Sequence, residues 1–329
     1  MKIKDLWRQR SRYDRRTLAR MAGTKSVRFA TSTLSYLYLI GISFVILYPI
    51  LYMLSMAFRP SEQVNDLNVV WIPTRLTLDN IIGVWTNFDF ATLLKNSVVL
   101  SLGSAVLSVV SCCVIGYGFA RFRFPGKTLL LVFLVLTLIL PVQIVAIPNF
   151  LMFSDFDPLG LVSLARAITG LRIRINIFDN PLNSYLPAMM GVGLKNGLYI
   201  LIFMQFFKGL PKEIEEAAYV DGCGFFKTML RVMLPNARPA VVVVLLFSIV
   251  WYWNDTTMVS LYFDQFMTVS SELLRISTDA SALLNATVAT DIVTWVQAGV
   301  AISIFPMIVL YLFCQRSFVE SIASTGLVG

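Results

Sequence analysis

The sequence predicts an all-α membrane protein that crosses the bilayer six times. Of its 329 residues, 57% are hydrophobic and 14% are charged, and the mean hydropathy is +0.73. A soluble globular domain does not have this composition. A run of about 20 apolar residues crosses the hydrocarbon core, and it must be helical because lipid offers the backbone no hydrogen-bond partner. The predicted spans are 34–58, 97–120, 128–150, 187–207, 239–262 and 292–313.

The distribution of basic residues predicts the orientation of these spans. If the N-terminus is cytoplasmic, the internal segments hold 19 of the 27 Lys and Arg residues. Lys and Arg near span ends concentrate on the cytoplasmic side, so we expect both termini to be cytoplasmic. The internal segments are 1–28, 121–127, 208–238 and 314–329.

Three parts of the chain follow from this orientation. We predict a basic cytoplasmic N-terminal tail (1–33), a transmembrane domain (34–313) and a cytoplasmic C-terminal tail (314–329). The N-terminal tail is too polar and too long to be the start of a cleaved signal peptide. Its charge suits anionic lipid headgroups, and we expect no nucleic-acid partner.

The longest strongly polar stretch, residues 211–239, predicts two short helices on the cytoplasmic side. Pro211 suits the first helical position. Glu213, Glu215 and Glu216 place negative charge near the positive end of the helix dipole.

The same stretch predicts a surface for close approach by another protein. Ile214, Ala218 and Gly222 recur every four residues, so we expect them to share a small, nearly flat face. Phe225 to Leu234 can form the second helix, which Pro235 is expected to stop.

These residues resemble the EAA loop of bacterial ABC importer permeases. The resemblance rests on Glu216-Ala217-Ala218, on Asp221-Gly222 and on Leu234-Pro235. It implies a type I ABC importer permease fold with a cytoplasmic coupling loop at 208–238. It also implies that the first helix, the coupling helix, sits in a groove on an ATPase subunit. The residues to which it assigns this role are Glu216, Ala217, Ala218, Asp221, Gly222, Leu234 and Pro235.

Further stretches are similar to the maltose-type carbohydrate permeases, specifically to the shorter of their two subunits. They are the run from Gly116 to Arg121, LPVQIVAIP in the third span and QRSFVESIASTGLVG at the C-terminus. The resemblance implies a multi-pass protein of the bacterial plasma membrane that imports a carbohydrate, with an oligosaccharide favoured. It implies a second homologous permease, two ABC ATPase subunits that bind ATP and Mg, and an extracellular solute-binding protein. This chain itself would hold no cofactor.

Two external loops flank the predicted pathway. Residues 155–186 are longer and more basic than the corresponding loop of the family, and LRIRINIF alternates as a half-exposed strand does. We expect an external hairpin or platform there, with Arg172 and Arg174 facing a binding protein or an acidic glycan. The loop at 263–291 has helical spacing through Leu273, Leu274, Ile276 and Leu283.

Polar residues within the spans are candidates for the substrate path, because a polar group facing lipid is costly. Hydrogen bonding between helices is an equally good explanation for any one of them. Tryptophan in the fifth span suits stacking on a sugar ring and equally suits the interfacial aromatic belt. The candidates are Gln143, Asn149, Gln205, Trp251, Asn254 and Asp255, with Gln297 in the sixth span.

Other classes of membrane protein fit the sequence less well. The chain has no histidine, and we find no catalytic residues, no metal-ligand spacing and no complete phosphate-binding loop. An ion-coupled secondary transporter or a channel is the main alternative. It predicts buried carboxylates on a conducting path and internal inverted repeats, whereas Asp255 is the one acidic residue placed well inside a predicted span.

The orientation makes a direct prediction. A cysteine introduced at position 220 should resist a membrane-impermeant thiol reagent in intact cells, and a cysteine at position 175 should react. The reverse pattern would invert the topology and remove the cytoplasmic position of the 208–238 loop.

Overall fold

The structure is a computed structural model that describes the backbone of residues 15–67, 69, 71–171, 174–282 and 286–326. Side chains are described within these ranges except at 15–28, 30, 159, 279–282, 286–291 and 316–326. These residues form helices, turns and irregular segments, and none of them lies in a strand. Contacts divide the chain into two compact units, Met1–Met56 and Ala57–Gly329.

The helices, in chain order, are α1 (Arg15–Ala57), α2 (Asp79–Asn87), α3 (Phe90–Arg121), α4 (Lys127–Ile139), α5 (Val142–Ser154), α6 (Leu161–Thr169), α7 (Leu182–Met189), α8 (Asn196–Gly209), α9 (Lys212–Val220), α10 (Phe225–Asn236), α11 (Arg238–Trp253), α12 (Thr257–Tyr262), α13 (Val269–Ala282) and α14 (Ala286–Gly326). Short 3₁₀ turns lie at Ser61–Gln63 and Pro158–Gly160.

Helix α1 dominates the first unit. Its segment Thr31–Ala57 has a hydropathy of 2.2 and is almost entirely exposed. Side chains such as Leu37, Ile40 and Phe44 are more than half exposed, which is the surface expected of a helix immersed in lipid. The helix passes through position 33 without a break, so the predicted boundary between tail and span is not a change of secondary structure.

The second unit is built around α3, which contributes to each of the three buried clusters found among the described residues. Phe90 packs with Val84 of α2 and with Val269 of α13. Leu100 packs with Phe153 of α5.

The third and largest cluster contains the other end of α3. Tyr117 packs there with Phe203 and Phe207 of α8 and with Met233 of α10. One long helix therefore connects every apolar cluster of the unit.

Small side chains allow this helix to pack closely, as the sequence indicated. A β-carbon added at Gly116 would lie 2.6 Å from Phe203 Cβ and 3.0 Å from Ile200 O. Ser111 donates a 2.6 Å hydrogen bond to Ala188 O, and Ser97 Oγ accepts one of 2.9 Å from Val269 N. Close backbones and hydrogen bonds between helices supply the association that hydrophobic burial cannot supply within lipid.

Within the described residues, three helices are long and apolar enough to cross a membrane: Thr31–Ala57, Phe90–Arg121 and Ile292–Gln315. The number rises to five if two bent pairs are each counted as one span. Helices α4 and α5 meet at 101°, and α10 and α11 meet at 79°. Pro141 lies at the first of these bends, where proline removes a helical hydrogen bond.

The predicted fourth span is shorter than expected. Positions 187–207 do not form one helix, because α7 ends at Met189 and α8 begins at Asn196. Gly191 and Lys195 take positive φ angles of 78° and 61° between them, a conformation that cannot continue a right-handed helix.

The predicted strand in the 155–186 insertion is wrong. The insertion contains α6, followed by an irregular return segment. The described part of that segment makes backbone hydrogen bonds with the end of α5 and the residues just after it, through Phe156 N to Ile175 O (2.8 Å) and Ile177 N to Phe153 O (3.2 Å). It makes another with the end of α12, where Asp179 N donates to Tyr262 O (3.0 Å). A helix end offers no ladder of partners, so alternation alone does not produce a strand. Arg172 lies outside the described residues.

The predicted helical spacing of the second external loop is confirmed as far as Ala282. Leu273 and Ile276 lie on α13, and Leu273 is buried against Ala298 of α14. Leu283 lies outside the described residues.

The close approach at Gly116 generates a stability prediction. Gly116→Ala should lower the free energy of unfolding by about 1–3 kcal/mol, because the added carbon overlaps the α8 backbone. Gly118→Ala is the matched control, since a β-carbon there meets nothing within 4 Å. Thermal unfolding in one detergent measures both. Equal midpoints for the two variants would contradict the close packing of α3 on α8.

Candidate coupling site

The elbow, residues 208–238, contains the candidate coupling site. Helix α9 starts after Pro211, which is the N-cap and not the first helical residue. Glu213 and Glu215 lie in the first turn, where the positive end of the helix dipole favours negative charge.

A Schellman motif ends α9. Cys223 N donates to Ala218 O and Gly222 N donates to Tyr219 O, both at 3.0 Å. Gly222 has a φ of 78°, which glycine adopts without the strain that a β-carbon brings. The Asp221-Gly222 pair therefore reverses the chain at the end of the helix.

Glu215 anchors α9 to the end of α3. Its Oε2 lies 3.0 Å from Arg121 Nε, and both side chains are at most 10% exposed. This contact is an ion pair not aligned for a hydrogen bond. Tyr117 donates a short hydrogen bond to Oε1 of the same carboxylate, and Tyr219 donates a second of 3.2 Å. Arg121 also donates to Leu210 O at 3.0 Å.

Aromatic rings surround this buried group. The ring of Tyr117 stacks on Phe225 of α10, with centroids 5.3 Å apart and an interplanar angle of 26°. It also meets Phe207 of α8 edge-on at 5.3 Å. Tyr117 thus contacts residues from α8, α9 and α10, and it closes the apolar cluster around the ion pair.

The outward face of α9 differs from the predicted one. Ala218 is only 6% exposed because it faces the interior of this chain, so Ile214, Ala218 and Gly222 do not form a free surface. Glu216, Ala217 and Val220 are exposed instead, and Val220 is 87% exposed. Glu213 precedes them on the same face at helical spacing.

The second helix of the elbow is not stopped by Pro235. Helix α10 continues to Asn236 and contains a π-helical turn at Met229–Met233. Such a turn changes the hydrogen-bond register shortly before a proline that has no N–H to donate. Leu234 packs on the core, and Pro235 is exposed.

The structure does not gather the candidate path residues into one site. Gln143 and Gln205 are exposed on α5 and α8, and Asn149 and Gln297 are half-buried on α5 and α14. Asp255 was predicted to lie inside the fifth span, but it lies outside the helix because α11 ends at Trp253. Its carboxylate instead accepts a 3.1 Å hydrogen bond from Met258 N at the start of α12.

Trp251 and Asn254 share an exposed face at the end of α11. Trp251 is 43% exposed, and Lys195 Nζ lies 4.6 Å from the centroid of its ring. A cation over an aromatic face is attracted by the ring quadrupole. These side chains offer a sugar an apolar platform, an amide and a positive charge.

Asp179 joins the two loops predicted to be external. Its Oδ1 accepts hydrogen bonds from the backbone N–H groups of Asp264 (2.6 Å), Gln265 (2.8 Å) and Phe266 (3.1 Å). Burial opposes the charge of Asp179, yet these donors hold its pKa below the ordinary value. The return segment after α6 and the segment before α13 therefore form one surface.

A second carboxylate organises the start of α6. Asp157 accepts a short hydrogen bond from the Ser163 hydroxyl and others from Val162 N and Ser163 N. The hydroxyl and then the backbone donors hold the pKa of Asp157 below its usual range. The opposite face of α6 exposes Leu164 and Ile168, which are 56% and 75% exposed.

An apolar groove of about 820 Å³ lies between α3 and the helices α10 and α11. Val110, Val114, Leu230 and Val242 line it, and Arg238 is its one charged lining residue. A sugar needs several polar partners, so this groove does not have the lining of a carbohydrate site.

Apolar helices joined by a polar elbow with one anchored face and one free face define an integral membrane protein of the transporter class. The chain belongs to the family described as the binding-protein-dependent transport system inner membrane component, which it matches over residues 112–323. In this family of permeases, ATP is hydrolysed by separate subunits. The resemblance seen in the sequence is confirmed.

Curated relatives are similar along most of their length. The arabinooligosaccharides transport system permease protein AraQ of Halalkalibacterium halodurans is 26% identical, over 92% of this chain and 99% of the relative. The maltodextrin transport system permease protein MalD of Streptococcus pneumoniae is 25% identical, over 92% and 97%. The diacetylchitobiose uptake system permease protein NgcG of Streptomyces coelicolor is 26% identical, over 93% and 91%.

A solved structure supports the fold. A chain from a bacterial ABC transporter involved in the import of the acidic polysaccharide alginate superposes with a TM-score of 0.68 and 21% identity. The match covers 93% of this chain and 99% of that chain. This chain therefore shares its overall fold with that chain.

Sequence reasoning missed Glu215, the most buried charged residue of the elbow. Its partners Tyr117 and Arg121 lie more than 90 residues away in the chain, so no local pattern connects them. One signal was available: Glu215 and Ala218 are three residues apart and therefore share a helix face.

The Schellman motif generates a local prediction. Gly222→Ala should strain the turn by about 1–2 kcal/mol, because a β-carbon disfavours positive φ. Hydrogen exchange at the Gly222 and Cys223 amides should therefore become faster, since opening the turn costs less. Gly224→Ala is the matched control, with a φ of −74° and open space around the added carbon. Equal exchange in both variants would contradict a role for Gly222 in ending α9.

Proposed function

We propose that this chain is a permease subunit of a carbohydrate importer and forms half of the translocation pathway. In this proposal it crosses the bacterial plasma membrane six times with both termini in the cytoplasm. Its partners are a second homologous permease, two ABC ATPase subunits that bind ATP and Mg, and an extracellular solute-binding protein. The three further spans needed beyond α1, α3 and α14 are the two bent pairs and α8.

One observation carries the proposal: α9 is fixed on one face and free on the other. Glu215 and Ala218 are buried against this chain, whereas Glu216, Ala217 and Val220 point away from it. A short polar helix with a conspicuous exposed valine has the surface of a docking element. Glu216 supplies the charge for a basic groove on an ATPase, and Ala217 allows close approach.

The proposed mechanism is alternating access. Closure of the two ATPase subunits on ATP moves α9 in each permease, and this movement reorients the spans around the pathway. The chain needs no ATP site of its own, because the energy arrives through the docked helix. Asp221 and Gly222 hold the end of that helix, and Leu234 fixes the second helix of the elbow on the core.

The substrate proposal rests on the relatives and on α11. Three relatives are named for arabinooligosaccharides, maltodextrin and diacetylchitobiose, which favours an oligosaccharide. Trp251, Asn254 and Lys195 are the residues that we propose contact it, because a sugar ring stacks on an aromatic face. The return segment of the insertion, with Arg174, is proposed to face the binding protein.

An ion-coupled transporter is the weaker alternative. It needs an ionisable group inside a span, and the candidate Asp255 instead lies after the end of α11, where it accepts a hydrogen bond from Met258 N at the start of α12. The free face of α9 has no role in that alternative.

The docking proposal predicts a specific loss of function. Glu216→Lys should abolish uptake and reduce co-purification of the ATPase subunits, because the reversed charge repels a basic groove. Gly222→Leu should also abolish transport, in this case because the turn that orients α9 is strained. Both variants should insert into the membrane normally. Uptake, membrane content and ATPase recovery are measured on the same cells.

Glu62→Lys is the matched control, since Glu62 is an exposed glutamate in the segment after α1. It should transport like the wild type. Full uptake and normal ATPase recovery in Glu216→Lys would contradict docking through this face of α9.

The uptake assay also tests the substrate class. Proteoliposomes that contain the full complex are offered arabinotriose, maltotetraose, diacetylchitobiose and an alginate trisaccharide. Trp251→Ala should raise KM for the sugar that is transported, because the packing of the sugar ring against the tryptophan ring is lost. Accumulation of none of the four sugars by the wild type would remove the carbohydrate assignment and leave the docking proposal standing.

A further inference from the structure

The elbow is connected to the membrane helices by two kinds of route. The covalent route passes from α9 through α10 to α11, and it contains a π-helical turn at Met229–Met233 and a 79° bend near Ala237. The second route is the contact of Glu215 with Arg121 and Tyr117, which leads directly into α3. A register change and a bend make the first route deformable, whereas the second route is short and buried.

Separating Glu215 from Arg121 is energetically unfavourable. Moving α9 away from α3 would leave the carboxylate of Glu215 and the guanidinium of Arg121 uncompensated in a place largely shielded from water. Breaking such a pair is strongly unfavourable, because neither charge regains full hydration. The Tyr117 hydroxyl and Leu210 O would also lose their partners. The two helix ends therefore tend to move together.

Helix α3 connects this contact to the other two buried clusters of the unit. The same helix that carries Tyr117 and Arg121 at one end packs Leu100 and Phe90 into the other two buried clusters. A displacement of its end by α9 acts on α5, α12, α13 and α14 through these clusters. The π-turn route through α10 reaches α11 first.

We infer that Arg121 and Glu215, with Tyr117, are positioning residues that join the coupling helix α9 to α3 and transmit its movement to the pathway. This inference rests on the proposed docking of α9 to an ATPase, and it assigns transmission to residues that do not touch the ATPase. Glu215 and Glu216 thus have different tasks on adjacent positions. Glu216 contacts the ATPase subunit, and Glu215 transmits the movement of α9 to α3.

A buried ion pair is not by itself evidence for stability. A purely structural role and a role in transmitting movement therefore predict different results when both charges are removed. Replacing both partners with apolar residues of similar volume is often neutral or stabilising. The double variant Arg121→Met with Glu215→Leu should therefore fold and bind the ATPase subunits. It lacks the directed contact, so it should transmit the movement of α9 poorly.

The test compares uptake per ATP hydrolysed in proteoliposomes that contain the complete complex. The transported sugar is the member of the four-sugar panel that the wild type accumulates. The apolar double variant should keep ATPase recovery and ATP hydrolysis, while uptake per ATP falls roughly 2- to 30-fold. Glu215→Gln and Arg121→Gln each leave one buried charge unpaired, so less complex is expected, and the same fall in uptake per ATP is measured on the complex that assembles. The reciprocal variant, Arg121→Glu with Glu215→Arg, should regain part of the loss. Arg123→Gln is the matched control, because Arg123 is exposed two residues from Arg121.

Two results would overturn the inference. One is wild-type uptake per ATP in Glu215→Gln and in the apolar double variant. The other is a loss of complex in these variants with an unchanged ratio in the complexes that remain, which would mean a purely structural role. Failure of the wild-type chain to recover ATPase subunits would instead contradict the proposed function.

Discussion

The fold depends on close contact between α3 and its neighbours. Within lipid, apolar side chains gain little by leaving their surroundings, so helices associate through close packing and polar contacts. Gly116 lets α3 and α8 approach until their backbones touch, and Ser97 and Ser111 bond to other elements across the interface. Without this contact Tyr117 would lose its packing against Phe203 and Phe207 of α8, and the elbow would lose its attachment to the membrane helices.

The elbow extends the same principle beyond the apolar region. Here the association uses charge, because the end of α3 carries Arg121 and α9 carries Glu215. The surrounding rings of Phe207 and Phe225 keep water away and strengthen the attraction. A polar hairpin is thereby attached to an apolar bundle at one point, while the rest of its surface stays exposed.

Much of this architecture could be predicted from the sequence, and the misses have physical causes. Composition indicated the class, and the polar stretch at 211–239 indicated two short helices, which are α9 and α10. The strand in the insertion failed because alternation describes exposure and does not supply a pairing partner. The anchor at Glu215 was missed because its partners lie more than 90 residues away, Tyr117 near the end of the predicted second span and Arg121 just after it. The helical periodicity of α9 shows which residues share a face, but it does not show which face packs on this chain and which face contacts another protein.

The two faces of α9 also bear on how such a protein changes over time. Substitutions at Glu213, Glu216, Ala217 or Val220 alter what an approaching protein meets, and none of them alters the contact with Arg121. The surface that a partner protein recognises can therefore change by substitution while the contact with Arg121 is kept, and both lie on a helix of nine residues. With α9 docked on an ATPase as proposed, a permease with this arrangement can exchange one ATPase for another, or share one among several transporters, without a change in its membrane helices.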